Sequence, residues 1–378
     1  MMAEIGVGII GCGNISTSYM KLIPSFAALE VRAIAGRNCQ KVDAQASRFG
    51  VVAMSVGEML SAPGIDVILN LTPPNAHFDI TKMVLEAGKH CYSEKPFVLA
   101  LEDGFALRDL AESKGLLVGS APDTFMGGAH QLARSVLDAG QIGAVTGATA
   151  HVMSHGMERW HPNPDFFFQP GGGPVLDIAP YYLANLVQLL GPVRAVSAMA
   201  STAFTSRTIG SGPRQGEVIP VSTPTNIHAI MEFRTGALVT IGASWDVWAH
   251  DHRPMEIYGK AGSLFLPDPN FFGGELILSK QDGSRAQLSW DHPFGNNNSE
   301  DNSGNPRANY RGAGLADMAM AVAEGRPHRT SLEFALHIVD VMTSILRSCE
   351  KRDWIEIGTS CERPPMLSPQ QARALLRA

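Results

Sequence analysis

The segment from Ile5 to Ile10 is apolar and runs directly into Gly11-Cys12-Gly13-Asn14-Ile15-Ser16. No other stretch constrains the fold as tightly. A strand ending in two spaced glycines, then a small residue and a helix, opens a βαβ unit. The first glycine permits the tight turn and the second lets a pyrophosphate approach the backbone. The helix N-terminus then meets the anion with unpaired N–H groups. Plain βα turns also carry glycines, but here the motif sits at the first strand-to-helix junction, the context it requires. The turn predicts dinucleotide binding, with Gly11, Gly13, Asn14 and Ile15 around the diphosphate.

The alternation that follows agrees. Strands are expected over residues 6–10, 29–35, 65–71, 90–93 and 116–119, and helices over 15–28, 39–48, 77–87 and 101–114. Such alternation implies an α/β fold with a doubly wound parallel sheet, a Rossmann domain. After Phe125 the pattern changes. A helix at 129–138 leads into β-type runs at 145–153, 193–205, 227–233, 238–245, 255–259 and 276–279, interrupted by one helix at 175–189. That is an α+β domain with a large open mixed or antiparallel sheet. Helices at 314–324 and 331–350 close the chain, while 206–225 and 295–306 read as polar, Gly/Pro-rich loops. The expected division is a dinucleotide-binding domain at 1–125 and a substrate-binding and oligomerisation domain at 126–378. Helices 314–350 are expected to pack back on the first domain.

Composition excludes several classes. A chain of 378 residues with net charge −6, 45% hydrophobic and 17% charged, is an ordinary globular protein without the basic face that nucleic acid requires. The five cysteines are scattered and odd in number, which argues against a disulfide framework or zinc ribbon. No apolar run approaches the roughly 18 residues of a membrane span. The apolar N-terminal stretch lacks the basic lead of a signal peptide. A cytoplasmic protein without membrane or nucleic-acid partners is expected. His250-Asp251-His252 has no third ligand in view, so no metal is expected.

The end of the second strand bears on which dinucleotide binds. An NAD-preferring site places an acidic residue there to bond the ribose 2′-hydroxyl. This chain has Ala35-Gly36-Arg37-Asn38, with an arginine that can pair with a 2′-phosphate. NADP is the expected preference; a solvated Arg37 and acceptance of NAD is the alternative.

Three further motifs carry a resemblance. Thr72-Pro73-Pro74-Asn75-Ala76-His77 follows the third apolar strand, Glu94-Lys95-Pro96 ends a later one, and Gly171-Gly172-Gly173-Pro174-Val175-Leu176-Asp177 opens the helix of the second domain. In this order and spacing the chain resembles the Gfo/Idh/MocA oxidoreductases over nearly its whole length. The resemblance implies NAD(P)-linked hydride transfer at a secondary hydroxyl or carbonyl of a sugar, sugar acid or cyclitol. It also implies a homodimer or homotetramer built through the C-terminal sheet. Lys95 matches the active-site lysine, Asp177 the substrate-side carboxylate, and Thr72, Pro73 and Asn75 the loop over the cofactor. His77 and Glu94 stand beside these motifs and are expected at the cofactor. The usual histidine four residues after the Asp is absent, and Tyr181 occupies its place.

Removing a hydroxyl proton needs a base within hydrogen-bond reach. A free tyrosine, with a pKa near 10, is a poor base at neutral pH, and a nearby ammonium favours its phenolate. A Lys95–Tyr181 pair is therefore the expected catalytic unit, with Asp177 orienting the substrate. Asp177 and Tyr181 are expected to share one helix face; a packed aromatic is the other reading of Tyr181. Trp160 offers a face for a sugar ring, His161 can donate, accept or titrate, and Asp123 stands at the domain junction. A surface loop position for His161, and still more for His155, and a helix cap for Asp123 are the plainer readings. Two further functions stay open. One is a nicotinamide-using lyase or glycosidase without net redox, the other a non-enzymatic nicotinamide-binding protein. Cys12, inside the glycine turn, is expected to block cofactor binding when modified.

Overall fold

A computed structural model describes residues 4–301 and 304–377. The first domain is a six-stranded parallel sheet made of β1 (Ile5–Ile10), β2 (Leu29–Ala35), β3 (Val52–Ala53), β4 (Val67–Asn70), β5 (His90–Ser93) and β6 (Val118–Ser120), in the order β3-β2-β1-β4-β5-β6. Helices α1 (Asn14–Leu22), α2 (Cys39–Phe49), α3 (Val56–Ser61), α4 (His77–Glu86) and α5 (Leu101–Lys114) connect the strands. Strands β1 and β4 are near-continuously apolar and buried because the sheet is covered on both faces. The strand order reverses between β1 and β4. The crevice beyond their carboxyl ends, where the glycine turn and the Thr72 loop meet, is where ligands bind such sheets.

The helix expected over 15–28 stops at Leu22. Pro24 has no N–H and cannot continue an α-helix, so the chain leaves through a short 3₁₀ turn, Ile23–Ser25.

The second domain starts with α6 (Gly128–Asp138) and β7 (Val145–Met153), then α7 (Pro174–Asp177) and α8 (Ala179–Leu190). Strands β8 (Val193–Ser201), β9 (Ser206–Thr208), β10 (Val218–Pro220), β11 (Asn226–Phe233), β12 (Leu238–Ser244), β13 (Met255–Gly259), β14 (Gly262–Leu266), β15 (Leu276–Lys280) and β16 (Arg285–Leu288) follow. The chain ends with β17 (Ser299–Glu300), β18 (Pro306–Arg307), α9 (Ala313–Glu324), α10 (Leu332–Lys351), β19 (Ile355–Glu356) and α11 (Pro369–Leu375). Nine strands form one sheet, β16-β15-β14-β13-β7-β12-β11-β8-β19, antiparallel except for the parallel pair β7–β12. α8 is buried along its whole length, as a helix sandwiched in a core must be. The other sheet face carries exposed Met199, Ile230 and Leu238.

Three expectations need correction here. The helix expected over 175–189 is broken at Ile178, because Pro180 cannot donate to Leu176 and the Tyr181 N–H bonds to the Ile178 carbonyl instead. The segment 206–225 is not simply a polar loop. Ser206–Thr208 and Val218–Pro220 pair as a hairpin, and Ile209 and Ile219 bury themselves against Phe167, Phe168 and Trp245. The loop expected over 295–306 contains the β17–β18 ribbon; its residues 302 and 303 lie outside the described residues.

The C-terminal helices lie against the first domain. Ser120 donates to the Thr330 carbonyl at 3.2 Å, and a Cβ on Gly104 would strike Leu336. Both domains thereby share one continuous core.

Candidate active site

The cofactor end is built by backbone first. Gly11 has φ +121°, and a Cβ there would lie 2.5 Å from the Leu71 carbonyl oxygen, so only glycine fits. A Cβ on Gly13 would meet nothing within 4 Å; the space above this residue is open. No side chain caps α1, so its first N–H groups, at Asn14 and Ile15, face that space unpaired. Ser16, at the third-glycine place, is buried and folds its hydroxyl onto the Gly13 carbonyl at 2.6 Å. An open cradle lined by free N–H donors fits a diphosphate. Arg37 is exposed at the tip of β2, with no hydrogen bond or ion pair to the described residues.

Across the crevice, the loop after β4 is pinned from below. Asn70 Oδ1 accepts from the Thr72 N–H at 3.2 Å and from its hydroxyl at 2.7 Å, leaving Pro73 and Asn75 exposed. His77 does not reach the crevice, contrary to expectation. It is fully buried, with Nδ1 2.7 Å from the Pro96 carbonyl and Nε2 2.8 Å from the Thr72 carbonyl. Two carbonyl neighbours occupy both ring nitrogens, so this histidine ties the Thr72 loop to the Lys95–Pro96 segment. Burial lowers its pKa, and the two carbonyls oppose that shift. Glu94 is likewise occupied: Oε1 accepts from the Tyr19 hydroxyl at 3.0 Å and Oε2 from the Lys95 N–H at 2.9 Å. It anchors α1 to the end of β5.

Lys95 projects from the end of β5 toward the broken helix of the second domain. Its Nζ lies 2.8 Å from Asp177 Oδ1 and also bonds to the Asp177 backbone carbonyl. That carbonyl is free because Tyr181 N–H bonds elsewhere. The same Nζ is 5.2 Å from the centre of the Tyr181 ring. Burial alone would lower the Lys95 pKa, but Asp177 and Tyr181 outweigh it and hold the ammonium well above its ordinary range. Lys95 is therefore a fixed cation at neutral pH. The structure brings Lys95, Asp177 and Tyr181 together, although Asp177 and Tyr181 stand on either side of the helix break and not on one helix.

These three residues form the floor of an open cleft of about 890 Å³. Trp160, 54% exposed, lines one wall with His155 and Arg159. Asn270, Phe271, Asn309 and Arg311 line the other. His161 sits behind Trp160, edge-on to Phe167 at 5.2 Å between centroids. Its Nδ1 accepts from the Asn163 N–H at 3.1 Å, and burial lowers its pKa. Neutral, with Nδ1 an acceptor, the ring carries its hydrogen on Nε2 and is a donor. Among the described residues no group of three or more His, Cys, Asp or Glu side chains could hold a metal ion. Among the described residues no helix is long and apolar enough to cross a membrane.

Asp123 does not face the cleft. It is 1% exposed, and its Oδ2 accepts from the N–H groups of Gly312 at 2.9 Å and Gly314 at 3.0 Å. The carboxylate caps the start of α9, a helix far along the chain, so its lone pairs are spent on backbone.

Arg311 lines the cleft beside Tyr181 and is the candidate that sequence reasoning missed. It immediately precedes the glycines held by Asp123, and its guanidinium carbon lies 5.8 Å from the centre of the Tyr181 ring. Arg311-Gly312-Ala313-Gly314, a charge ahead of two glycines opening a helix, was the available signal.

Two family models match the chain. Residues 5–121 match the oxidoreductase family with an NAD-binding Rossmann fold, and residues 130–265 match the GFO/IDH/MocA C-terminal domain. A dTDP-3,4-didehydro-2,6-dideoxy-alpha-D-glucose 3-reductase from Saccharopolyspora spinosa is 31% identical over 213 residues, 54% of this chain and 61% of that protein. Levoglucosan dehydrogenase from Pseudarthrobacter phenanthrenivorans is 26% identical over 290 residues, 70% of this chain and 73% of its own. A solved levoglucosan dehydrogenase in complex with NADH superposes with a TM-score of 0.78 at 22% identity, covering 94% of this chain and 100% of that one. The chain spans 40%, 61% and 54% of the length of three curated relatives, about half of each. With both domains matched in order, the chain belongs to the Gfo/Idh/MocA family of oxidoreductases.

Proposed function

We propose that this protein is a nicotinamide-dependent sugar or polyol dehydrogenase acting at a secondary hydroxyl or carbonyl. The observation that carries the reading is the Lys95–Asp177–Tyr181 cluster lining the cleft. Curated relatives whose names state sugar substrates support the substrate class.

Gly11, Gly13, Asn14 and Ile15 would hold the cofactor diphosphate, with Thr72, Pro73 and Asn75 covering it. Arg37 would pair with a 2′-phosphate, which makes NADP the preferred form. When bound, the nicotinamide supplies or accepts the hydride. The chain's own residues move the proton and hold the substrate. Asp177 and Lys95 fix hydroxyls of the sugar with one acceptor and one charged donor. Lys95, locked as an ammonium, serves as an electrostatic partner and not as the base. Tyr181, 8% exposed on the cleft floor, is placed to exchange the proton with the substrate oxygen. Trp160 offers its exposed face to the sugar ring. Assembly through the open face of the nine-stranded sheet completes the proposal.

The test is a panel of sugars, sugar acids and cyclitols assayed with NADP and NAD. Steady formation of reduced nicotinamide with a polyol is the expected result. Product formation without net cofactor change would instead identify a lyase or glycosidase cycle.

A further inference from the structure

Arg311 differs from the other half-buried and buried arginines of this chain. Arg207 pairs with Glu158 at 3.1 Å and with Asp246, Arg329 with Asp317 at 2.7 Å, and Arg134 with Asp138 at 2.7 Å. Arg311 has no carboxylate within ion-pair distance among the described residues. Its Nη2 donates to Asn270 Oδ1 at 3.0 Å, and Nη1 lies 3.4 Å from Asn309 Oδ1, both neutral amides. Carboxylates such as Glu94 act on it from a distance, but none pairs with it directly, so the guanidinium can meet an anion that forms in the cleft during the work of the site.

The anion that can form is on Tyr181. The guanidinium carbon lies 5.8 Å from the ring centre. Arginine only donates. It also stays protonated, so a fixed positive charge stands beside the Tyr181 ring. Lys95, held by Asp177, closes another side of the ring with a second fixed cation. Tyr181 itself lines the cleft.

Backbone anchoring fixes Arg311 itself. Asp123 grips the N–H groups of Gly312 and Gly314, directly after it. The domain junction thereby sets the height at which the guanidinium enters the cleft.

From this geometry we infer that Arg311 is a positioning residue for the proton step. Its fixed charge, with that of Lys95, flanks the Tyr181 ring and counters the charge left on Tyr181 when the phenol gives up its proton. The inference rests on the dehydrogenase reading above. In the reducing direction the Tyr181 O–H bond breaks and an O–H bond forms on the substrate oxygen, as hydride from the reduced nicotinamide reaches the carbon. Water then returns a proton to the phenolate. Oxidation runs the same steps backward.

The test is a double-mutant cycle on the holoenzyme, with the fastest substrate of the panel. Arg311→Met in the wild-type background should lower kcat at least about tenfold with KM changed less than about threefold. In a Tyr181→Phe background the same change should cost less than about twofold, because the partner is already gone. Arg311→Lys, which keeps the charge, should restore part of kcat. Equal losses in both backgrounds would show that Arg311 acts on substrate directly and overturn the inference; so would an unchanged kcat in Arg311→Met. If Arg311→Met does not fold, as judged by its thermal transition, the Arg311→Lys arm of the cycle decides by the same criterion. Failure of the dehydrogenase reading shows separately, as absence of reduced nicotinamide from the wild-type enzyme with every substrate.

Discussion

Lys95 holds Asp177 at two oxygens, the carboxylate at 2.8 Å and the backbone carbonyl. The second bond exists because Pro180 interrupts the helix and the Tyr181 N–H turns to Ile178. A sequence feature that looks like a helix defect thus supplies an acceptor for the cation of the site. Lys95→Met removes the ammonium that fixes Asp177 and faces Tyr181. The expected outcome is a fall in kcat of about 10²- to 10³-fold, comparable to loss of one preorganised donor. Cofactor affinity, measured by fluorescence titration, should change less than about threefold, since the cradle lies on β1 and α1. A fall in cofactor affinity equal to the fall in kcat would contradict this separation.

The two cradle glycines should respond differently to alanine. Gly11→Ala forces a side chain into the left-handed region and onto the Leu71 carbonyl, so it should destabilise the fold by roughly 1–3 kcal/mol or more. Gly13→Ala has room in the protein alone and should leave the denaturation midpoint nearly unchanged. Its methyl group projects into the space over the cradle, so cofactor affinity should fall about tenfold or more. Urea denaturation and cofactor titration of both variants check the pair.

Arg37 stands exposed at the tip of β2, with no partner among the described residues. Arg37→Ala should lower kcat/KM with NADP about 10- to 100-fold, the worth of a charge-assisted bond to phosphate. With NAD the change should stay within about threefold. Equal catalytic efficiency of the wild-type enzyme with both cofactors would remove the proposed preference.

Asp123 carries a pH signature. Burial pushes its carboxyl up to about 6, against the pull of the Gly314 and Gly312 N–H groups. A folded-state value above the unfolded 3.8 means the folded protein keeps a proton that the unfolded chain has released. This contribution is complete below the unfolded value and is lost as pH rises through about 6. Asp123→Asn cannot titrate but keeps an amide oxygen for the glycine N–H groups. Wild type should therefore gain on the variant by up to roughly 3 kcal/mol as pH falls from about 7 to about 4. Denaturation midpoints across that range check it; a constant difference would refute the assignment.

The first domain was legible because local rules decide it: the glycine turn, apolar parallel strands and helix-length spacers each carry a short-range signal. Its largest overrun, past Leu22, ends at a proline that cannot continue a helix, and the short β3 and α3 carry too little periodicity to be expected. The site was legible only in part. Lys95, Asp177 and Tyr181 are named by motif and lie together. His77 and Asp123 were not readable, since their partners are backbone groups at Pro96 and Thr72 and at Gly312 and Gly314. Arg311 enters the cleft from a segment more than two hundred residues after Lys95, a juxtaposition only the folded chain makes.

Hydride transfer itself is the most direct test. The sugar that turns over fastest, deuterated at its secondary carbinol carbons, is incubated with the enzyme and oxidised cofactor, and the cofactor is weighed by mass spectrometry. The expected result is one deuterium on the nicotinamide for each product formed, with the rate reduced about 10²-fold or more in Tyr181→Phe. Product accumulating while the cofactor stays unlabelled and oxidised would contradict a dehydrogenase.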